Sequence, residues 1–592
     1  MEKKWWHDKV AYQIYPKSFC DSNGDGIGDL RGIISRLGYL KDLGADILWL
    51  SPVYPSPLAD QGYDIADYRG IDPRFGTMED MEELIEKARE RDMHIIMDLV
   101  VNHCSDEHEW FRKACEDPYG PYGKYFYIEK LSDPVPEEVR KQRAQNENAA
   151  FSADGRELPC NWRSYFGGSV WEPLPGHEEL CYLHLFHKKQ PDLNWENPAL
   201  REEVYSLINW WLDKGLAGFR IDAILNLKKV LPFKNYPADR TDGLASVQNM
   251  LDEAEGLGDF LTEMKERCFA PHNSFTVGEV CSQDPEVIHQ FIGEEGYFST
   301  MFDFAADVYG SSPNGWHEAF SITPDEFKTC YFTTQKEVGD TCYISNVIEN
   351  HDQGRSCSRY LPDGECTDAA KKLLGTVYFL LKGLPWIYQG QELGMENTVI
   401  RSMSEVDDIS SHDNYAVALR AGLSEEEALR AVAKYSRDNA RTPFQWSAEE
   451  YAGFSTAQPW LKVNPNYEKI NLAAEEKDPE SVYHFYRKLT RLRKDPVWQE
   501  PIVYGEVVPY LPEQKCVFSS FRTGENAQVL VIANFQKEPQ AIPLPEPYAH
   551  LTGEALSESI LMNNMETAEI AGGVLQAAGY QVIVLGYGKC TK

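Results

Sequence analysis

Polar side chains that could carry out acid–base chemistry cluster directly after runs rich in Val, Ile, Phe and Tyr. Arg220 and Asp222 lie in GFRIDA, Glu279 lies in TVGEV, and His351 and Asp352 lie in ENHDQ. Cleavage of a glycosidic bond with retention needs one carboxylate as nucleophile and a second carboxyl as acid and then base, roughly 5 Å apart. The pair that we predict for these two roles is Asp222 and Glu279.

Each of these residues also has an ordinary structural explanation. Acidic side chains are mostly solvated at the surface, Arg220 beside Asp222 is compatible with a simple ion pair, and His351 with a satisfied core histidine. The same kind of polar cluster, however, recurs at four predicted strand ends, in the order along the chain that a barrel has. Barrel enzymes carry their chemistry where strands give way to loops, so the recurrence favours catalysis.

Strand-like runs alternate with helical patterns along most of the chain, as a barrel of parallel strands requires. The runs that predict barrel strands are VAYQIY, ADILWL, HIIMDLVV, GFRID, FTVGEV, YISNVI and LPWIYQG, and an eighth is expected near FSTMFDF. Helices are predicted for MEDMEELIEKARERD and NPALREEVYSLINWWLDKG. We therefore predict an α/β fold, a (β/α)8 TIM barrel formed by residues 1–103 and 175–504.

Two further domains are predicted outside the barrel. Residues 104–174 are rich in Tyr, Gly, Pro and Asn and too long for an ordinary loop, which predicts a small domain inserted after the third strand. From about residue 505 the pattern changes to alternating strands, among them CVFSSF, AQVLVIANF and YQVIVLGY. Residues 505–592 are therefore predicted to form a C-terminal all-β sandwich. The charged helical segment from Ile400 to Lys434 is predicted to be a lid or spacer.

Five ordered motifs carry a family resemblance that covers nearly the whole chain. DLVVNH, GFRIDA, GEV and NHD resemble the four signature regions of glycoside hydrolase family 13, the α-amylase family. QPDLNWENP resembles a fifth region as it is written in the oligo-1,6-glucosidase and α-glucosidase branch, and AYQIYPKSF and SRDNARTPFQW are similar to the same branch.

The resemblance implies a role for each matching residue. Asp222 would be the nucleophile, Glu279 the general acid and base, and Asp352 the carboxylate that stabilises the transition state. Residues implied to bind the non-reducing glucose are Asp60, Tyr63, His103, Arg220, His351 and Arg437. Phe166 is either an apolar wall of this pocket or part of the core. A pocket closed at one end implies exo cleavage of α-1,4 or α-1,6 bonds in short oligosaccharides such as maltose, isomaltose and panose.

This division of roles sets requirements on the surroundings of the carboxylates. A general acid must hold its proton near neutral pH, so we expect apolar surroundings and the negative charges of Asp222 and Asp352 around Glu279. A guanidinium has the opposite effect. Arg220 is expected to keep Asp222 ionised through planar, bidentate hydrogen bonds.

The loop DSNGDGIGD near the N-terminus predicts a structural calcium site. Its oxygen ligands alternate along the chain as hard cations prefer, although position twelve of an EF-hand would be Gly32 instead of Glu. The family resemblance adds a backbone carbonyl. The expected ligands are Asp21, Asn23, Asp25, the Ile27 carbonyl and Asp29. A glycine-rich turn without an ion is the alternative, and no cofactor is expected for catalysis.

Composition excludes several classes of partner. The 58 basic and 93 acidic residues give a net charge of −35, which repels nucleic acid and anionic membranes and suits a neutral substrate. Thirteen cysteines without CxxC pairing indicate free thiols in a reducing compartment. With no signal-peptide pattern and no long apolar run, we expect a cytoplasmic protein, either a monomer or a small homo-oligomer.

Linkage and reaction outcome stay open at this point. In the related branch the residue after the nucleophile tends to be Val in enzymes that cut α-1,6 bonds, and here it is Ala223, which favours α-1,4 substrates. Lys228 or Lys229 could bind a sugar hydroxyl, although we expect both to be exposed. Phosphotrehalase activity, isomerisation and glucosyl transfer are alternatives. So is a non-catalytic relative, although Asp222, Glu279 and Asp352 are all present.

Overall fold

The computed structural model of the chain describes residues 2–588, and its centre is a closed barrel of eight parallel strands. Each strand pairs with the next one along the chain, and the first pairs with the last. The strands are Ala11–Ile14, Ile47–Leu50, His94–Leu99, Gly218–Ile221, Phe275–Gly278, Thr300–Asp303, Ser345–Asn346 and Leu384–Tyr388. Nearly every residue in them is buried, as expected for a parallel sheet with both faces covered. The TIM-barrel prediction is confirmed, with the eighth run at FSTMFDF.

Helices follow the barrel strands along the chain. The main ones are Leu30–Ser35 with Leu37–Leu43, Met78–Arg89, Pro198–Asp213, Leu257–Met264, Pro285–Ile292, Pro324–Val338, Asp368–Phe379 and Val482–Lys494. Several start at sequence signals for a helix N-terminus. Thr323, for example, forms a capping box with Glu326 and is followed by Pro324, so that the first free N–H groups of the helix are satisfied.

The chain divides into two compact units. One comprises Met1–Leu50, Glu83–Ile95 and Cys281–Lys592, and the other comprises Ser51–Glu82 and Ile96–Val280. The fourth and fifth barrel strands belong to the second unit. The first, second, sixth, seventh and eighth belong to the first unit.

The region predicted as an inserted domain has its own small sheet. Its strands are Ile128–Lys130, His177–Leu183 and Trp171–Leu174, in that order across the sheet, and all pair antiparallel. A core of buried side chains, among them Trp162 and Trp171, packs beside it. The sheet includes residues beyond 174, and the bounds 104–174 stay a prediction.

The C-terminal region is built from two antiparallel sheets. The five-stranded sheet contains Glu506–Pro509, Val517–Thr523, Ala527–Asn534, Val582–Gly588 and Ile560–Asn563, and the three-stranded sheet contains Gln540–Pro543, Val574–Ala577 and Glu569–Ala571. Leu530 and Ile583 from one sheet share a core with Ile542 and Leu575 from the other. This arrangement is a β-sandwich, in which apolar side chains of the two inner faces interdigitate.

The charged segment after the eighth strand forms two helices, Ile409–Arg420 and Glu425–Tyr435. Asp408 caps the first of them by accepting the N–H groups of Ser410 and Ser411. None of the helices within residues 2–588 combines the length and apolar character needed to cross a lipid bilayer.

Candidate active site

Arg220 holds three carboxylates in the second unit. It lies on the fourth barrel strand, where parallel pairing sets it opposite Asp98 of the third strand. Its Nη1 contacts Asp98 Oδ1 at 2.7 Å and Asp222 Oδ1 at 2.5 Å, and its Nη2 contacts Glu279 Oε1 at 2.7 Å. Asp222 follows the fourth strand and Glu279 follows the fifth. One guanidinium, only 2% exposed, therefore makes close neighbours of the predicted nucleophile and the predicted acid.

This arrangement corrects the expectation that Glu279 lies in apolar surroundings. Glu279 forms an ion pair with Arg220, and its second oxygen accepts the Ala223 N–H at 2.9 Å. Burial raises the pKa of Asp222 well above its usual value, and the carboxylates of Glu279 and Asp98 add to the rise while Arg220 opposes it. The charged guanidinium thus lies in the field of all three acids, because successive strand ends converge on it.

Ala223 has a left-handed backbone, with φ of 47° and ψ of 35°. Such a conformation costs a non-glycine residue free energy, and residues of this kind gather at functional sites. Here it aims the Ala223 N–H at Glu279 directly after Asp222. The backbone next to the predicted nucleophile therefore helps to orient the predicted acid.

The structure brings Asp60, Tyr63 and His103 together around Gln190. The Gln190 side chain lies 3.2 Å from Asp60 Oδ2, 3.2 Å from the Tyr63 carbonyl and 3.1 Å from His103 Nε2. Tyr63 also donates its hydroxyl to Asp98 Oδ2 at 3.3 Å. Burial lowers the pKa of His103, so the imidazole is neutral at physiological pH and offers a hydrogen bond instead of a charge.

Lys229 is buried, which contradicts the expectation that it is exposed. Its Nζ lies 2.7 Å from Asp192 Oδ2 and donates to Asn102 Oδ1 at 2.8 Å. Asn102 in turn contacts His103 Nδ1 at 3.2 Å. The pair with Asp192 satisfies a charge that would otherwise be too costly to bury, and Lys229 is linked to His103 through Asn102. Lys228 instead forms an ion pair with Glu196 near the surface.

Phe166 is half-buried and packs near Phe186, with ring centroids 6.1 Å apart. Phe186 in turn lies 5.0 Å from the ring of His103. The apolar side chains next to the ring of His103 are therefore aromatic.

His351 and Asp352 form a second cluster in the first unit. Gln13 Nε2 contacts His351 Nδ1 at 2.8 Å, and His351 Nε2 lies 3.1 Å from Asp352 Oδ2. If the amide donates to Nδ1, the proton lies on Nε2 and His351 donates to the carboxylate. The other oxygen of Asp352 accepts from Arg441 at 3.0 Å and from Arg437 at 3.3 Å.

Arg437 is anchored from its other side by Asp408. Its Nε lies 2.7 Å from Asp408 Oδ1. Burial opposes ionisation of Asp408, but the charges of Arg437 and Arg441 outweigh it and lower the pKa of this carboxyl. The cap of the helix Ile409–Arg420 therefore also positions a predicted sugar-binding residue.

A cavity of about 190 Å³ opens beside Asp352 in the same unit. Trp316, Tyr435 and the ion pair of Arg359 with Asp307 line it. Such a mixture of aromatic rings and polar groups suits a sugar, which offers both apolar faces and hydroxyls.

The loop with the predicted calcium ligands is closed by its own side chains. Asp21 accepts the N–H groups of Asn23, Gly24 and Gly26 at 2.7–3.0 Å. The side chains of Asn23 and Asp25 each accept the N–H two residues on, the latter from Ile27. Asp29 caps the helix Leu30–Ser35 by accepting the Gly32 N–H at 2.6 Å. The donor set consists of hard oxygens, as calcium requires.

Sequence reasoning did not assign Asp98, Gln190, Asp192 and Arg441 to the site. Asp98 opens the motif DLVVNH, Gln190 and Asp192 lie in QPDLNWENP, and Arg441 lies in SRDNARTPFQW. The motifs therefore contained these residues. Each of them contacts a partner 87 to 130 positions away in the chain, which no local pattern reveals.

Comparison with known proteins gives one consistent result. A family model described as the α-amylase catalytic domain matches residues 13–501. The chain is 41% identical to a probable oligo-1,6-glucosidase 3 of Bacillus subtilis (strain 168), over 96% of both chains. It is 40% identical to an oligo-1,6-glucosidase of Parageobacillus thermoglucosidasius, over 94% of this chain and 95% of the relative. The solved structure of an isomaltulose synthase from Klebsiella sp. LX3 superposes with a TM-score of 0.88 at 32% identity, over 99% of this chain and 100% of that one.

Proposed function

The chain belongs to the α-amylase family and is a glycoside hydrolase, and from this premise we propose that it is an exo-acting, retaining α-glucosidase. Its substrates would be small neutral oligosaccharides, from which it removes the terminal α-linked glucose at the non-reducing end. The observation that carries the proposal is the shared guanidinium of Arg220, which holds Asp222 and Glu279 on its two terminal nitrogens. Retention requires two carboxyl groups as close as this.

The reaction would proceed in two steps. Asp222 attacks the anomeric carbon while Glu279 donates its proton to the leaving oxygen, which gives a covalent glucosyl-enzyme and frees the shorter sugar. Glu279 then takes a proton from water, the oxygen of which attacks the same carbon and releases α-glucose and Asp222. Asp352 would fix sugar hydroxyls as positive charge develops.

The Arg220 cluster concentrates negative charge where this cycle would take place. Three carboxyl groups face one guanidinium, so full ionisation would leave a net negative charge in a buried place. This repulsion and burial together raise the pKa of Asp222, and the charge of Arg220 opposes the rise.

The remaining binding residues would each contact the terminal glucose. His103 and Asp60, with Tyr63 beside them, present hydrogen-bonding groups with fixed orientations. We assign His351 and Arg437 the same role on the strength of their positions around Asp352. Phe166 would supply an apolar wall.

For linkage, we propose a preference for α-1,6 bonds, because the relatives of Bacillus subtilis and Parageobacillus thermoglucosidasius carry that activity in their names. Cleavage of α-1,4 bonds is the second candidate, and Ala223 favours it. The left-handed backbone at this position is costlier for a β-branched residue than for Ala. A small side chain also leaves more room next to Asp222.

The experiment compares initial glucose release from maltose, isomaltose, panose, sucrose, trehalose and phosphorylated trehalose, with the anomer of the released glucose followed by NMR. Faster isomaltose than maltose supports the α-1,6 preference, and the reverse establishes the second candidate. Release of β-glucose contradicts retention. Isomerised sucrose, transfer products, or hydrolysis confined to phosphorylated trehalose would replace the proposal with one of those activities. An Asp222→Asn variant serves as the blank.

We also propose that the loop of Asp21, Asn23, Asp25, Ile27 and Asp29 binds a structural calcium ion, and that no cofactor takes part in the chemistry. Support comes from the hard oxygen donors spaced along a glycine-bearing turn. We also propose a cytoplasmic location, because none of the twelve cysteines within residues 2–588 forms a disulfide bond.

A further inference from the structure

Two cysteines and a glutamate meet outside the candidate active site. One sulfur each from Cys357 and Cys366 and one carboxylate oxygen of Glu396 all lie within 4.8 Å of one another. Within residues 2–588 this is the one group of His, Cys, Asp and Glu side chains with such an arrangement. We propose that Cys357, Cys366 and Glu396 bind a zinc ion that ties together the loops after the seventh and eighth barrel strands.

The chemistry of the donors selects the ion. Thiolates are soft ligands that suit zinc and disfavour calcium and magnesium, and zinc also accepts a carboxylate oxygen as a ligand. With Zn–S bonds of about 2.3 Å, two sulfurs on a tetrahedral ion lie ~3.8 Å apart. Since the three ligand atoms already lie within 4.8 Å of one another, small movements of the side chains would reach that spacing. The fourth position is left for water.

The backbone around the three ligands is already held in place. Arg355 N–H donates to Asn397 Oδ1 at 2.8 Å, and Asn397 N–H donates to Ser358 Oγ at 3.2 Å. These two bonds join the start of the helix Ser356–Tyr360, which carries Cys357, to the residue after Glu396. The ligands on the two segments are therefore brought together independently of any ion, which lowers the entropic cost of binding one.

Lys371 balances the charge of the site. Its Nζ lies 2.7 Å from Glu396 Oε1, and the side chain is only 5% exposed. Two thiolates and a carboxylate carry three negative charges, which a divalent ion and this ammonium neutralise. A buried site without net charge avoids the desolvation cost of an unpaired ion.

The position of the site indicates what binding would do. Cys357 follows Asp352 by five residues, and Cys366 directly precedes Thr367, which caps the helix Asp368–Phe379. An ion would therefore clamp the segment that leads away from Asp352. We expect it to raise thermal stability without entering the chemistry, so the inference does not depend on the proposed function.

The test measures binding of Zn²⁺ by equilibrium dialysis of the reduced full-length protein, and of Co²⁺ by its thiolate charge-transfer absorption in the near ultraviolet. We expect one Zn²⁺ per chain and the Co²⁺ band, both lost in Cys357→Ser and in Cys366→Ser. Glu396→Gln should bind at least about tenfold more weakly. Cys115→Ser, at a half-buried cysteine elsewhere, should bind as the wild type does.

Three outcomes overturn the proposal. The first is equal Zn²⁺ binding by the wild type and both serine variants, and the second is full affinity in Glu396→Gln. The third is a disulfide between Cys357 and Cys366 in the protein purified without reductant, combined with no Zn²⁺ binding after reduction. If Cys357→Ser does not fold, as judged by circular dichroism, Cys366→Ser and Glu396→Gln decide the matter, since both side chains are only half-buried.

Discussion

Among single residues, Arg220 has the widest influence on the candidate site. It is the common partner of Asp98, Asp222 and Glu279, so it sets their separation and their shared charge. A guanidinium suits this task because its rigid, planar group of donors can serve several carboxylates at once. The predicted catalytic pair thus depends on a residue that need not react itself.

Replacing either member of the pair should abolish turnover and leave the fold intact. Asp222→Asn removes the attacking carboxylate, and Glu279→Gln removes the proton donor, so we expect kcat to fall at least ~10³-fold in each. The measurement is release of nitrophenol from a nitrophenyl α-glucoside, with melting temperature as the check on folding. Glu138→Gln, an exposed acid of the helix Glu137–Glu147, is the control. Wild-type rates in a folded variant would remove that residue from the mechanism.

Lys229 and Lys228 are neighbours in sequence with different environments, which makes them a matched pair. Lys229→Met leaves Asp192 buried without its partner, and breaking a buried pair in this way costs about 3–5 kcal/mol of unfolding free energy. Lys228→Met removes a partly exposed pair with Glu196 and should cost less than about 1 kcal/mol. Urea unfolding measures both. Equal losses would contradict a structural role for the buried lysine.

At the scale of elements, the ends of the barrel strands and the loops after them decide which groups can meet. The register of the fourth strand against the third sets Asp98 beside Arg220, and a shift of one residue would turn Arg220 to the other face. The loops after the strands carry the other residues of the candidate site.

Removal of calcium should lower the melting temperature by a few degrees. An ion that binds only the folded loop stabilises it by mass action, and without the ion the carboxylates of Asp21 and Asp25 lose their counter-charge. The measurement is thermal unfolding with and without a calcium-selective chelator. Ca²⁺ but not Zn²⁺ should restore the wild type, and Asp25→Asn should show a smaller response. An unchanged melting temperature would argue against calcium in this loop.

Asp303, at the end of the sixth strand, should make stability depend on pH. Burial raises the pKa of Asp303 to about 7 from 3.8, although the Ala305 N–H and Thr334 hydroxyl donate to it. The folded state therefore keeps the Asp303 proton up to a higher pH than the unfolded state does. The stability that this proton contributes is present near pH 4 and is lost as the pH rises to 7.

The variant Asp303→Asn cannot lose a proton, so its stability relative to the wild type should increase by a few kcal/mol between pH 4 and pH 7 and then level off. Urea unfolding of both proteins at pH 5 and pH 8 measures the difference. A difference that is the same at both values would contradict the burial of an ionisable group here.

At the scale of the whole molecule, the C-terminal sandwich is attached to helices of the same unit by buried cations. Lys328 on the helix Pro324–Val338 donates to the carbonyls of Pro512 and Gln514 at 2.8 and 3.0 Å. Arg522 on a sandwich strand donates to the carbonyl of Leu380 and, at 2.9 Å, to that of Gly505. These contacts give the sandwich a defined place against the end of the helix Asp368–Phe379.

Arg522→Ala should weaken this attachment. It leaves two buried carbonyls without donors and opens a cavity, which together cost about 2–4 kcal/mol. Calorimetry should then show an earlier transition for the sandwich, whereas glucosidase activity at 25 °C is retained. Arg430→Ala, which removes an exposed pair with Glu426, should change stability by no more than ~0.5 kcal/mol. An unaltered thermogram for Arg522→Ala would mean that other contacts hold the sandwich.

Most of the fold and the candidates for catalysis followed from local patterns. Eight short runs of apolar residues were enough to predict eight barrel strands, because a parallel strand buried on both faces must be apolar along its whole length. The motifs around Asp222, Glu279 and Asp352 could be recognised in the sequence because each polar cluster ends such an apolar run. Order along the chain then determined the order of the strands around the barrel.

Tertiary structure alone decided the partners of these residues. The sharing of Arg220 by three acids, the burial of Lys229 against Asp192, and the meeting of Cys357, Cys366 and Glu396 all join residues from different segments. A sequence pattern reports the environment of a residue through its neighbours in the chain. The electrostatic and ligand-binding properties of a side chain depend instead on its neighbours in space, which become known only when distant strand ends and loops come together.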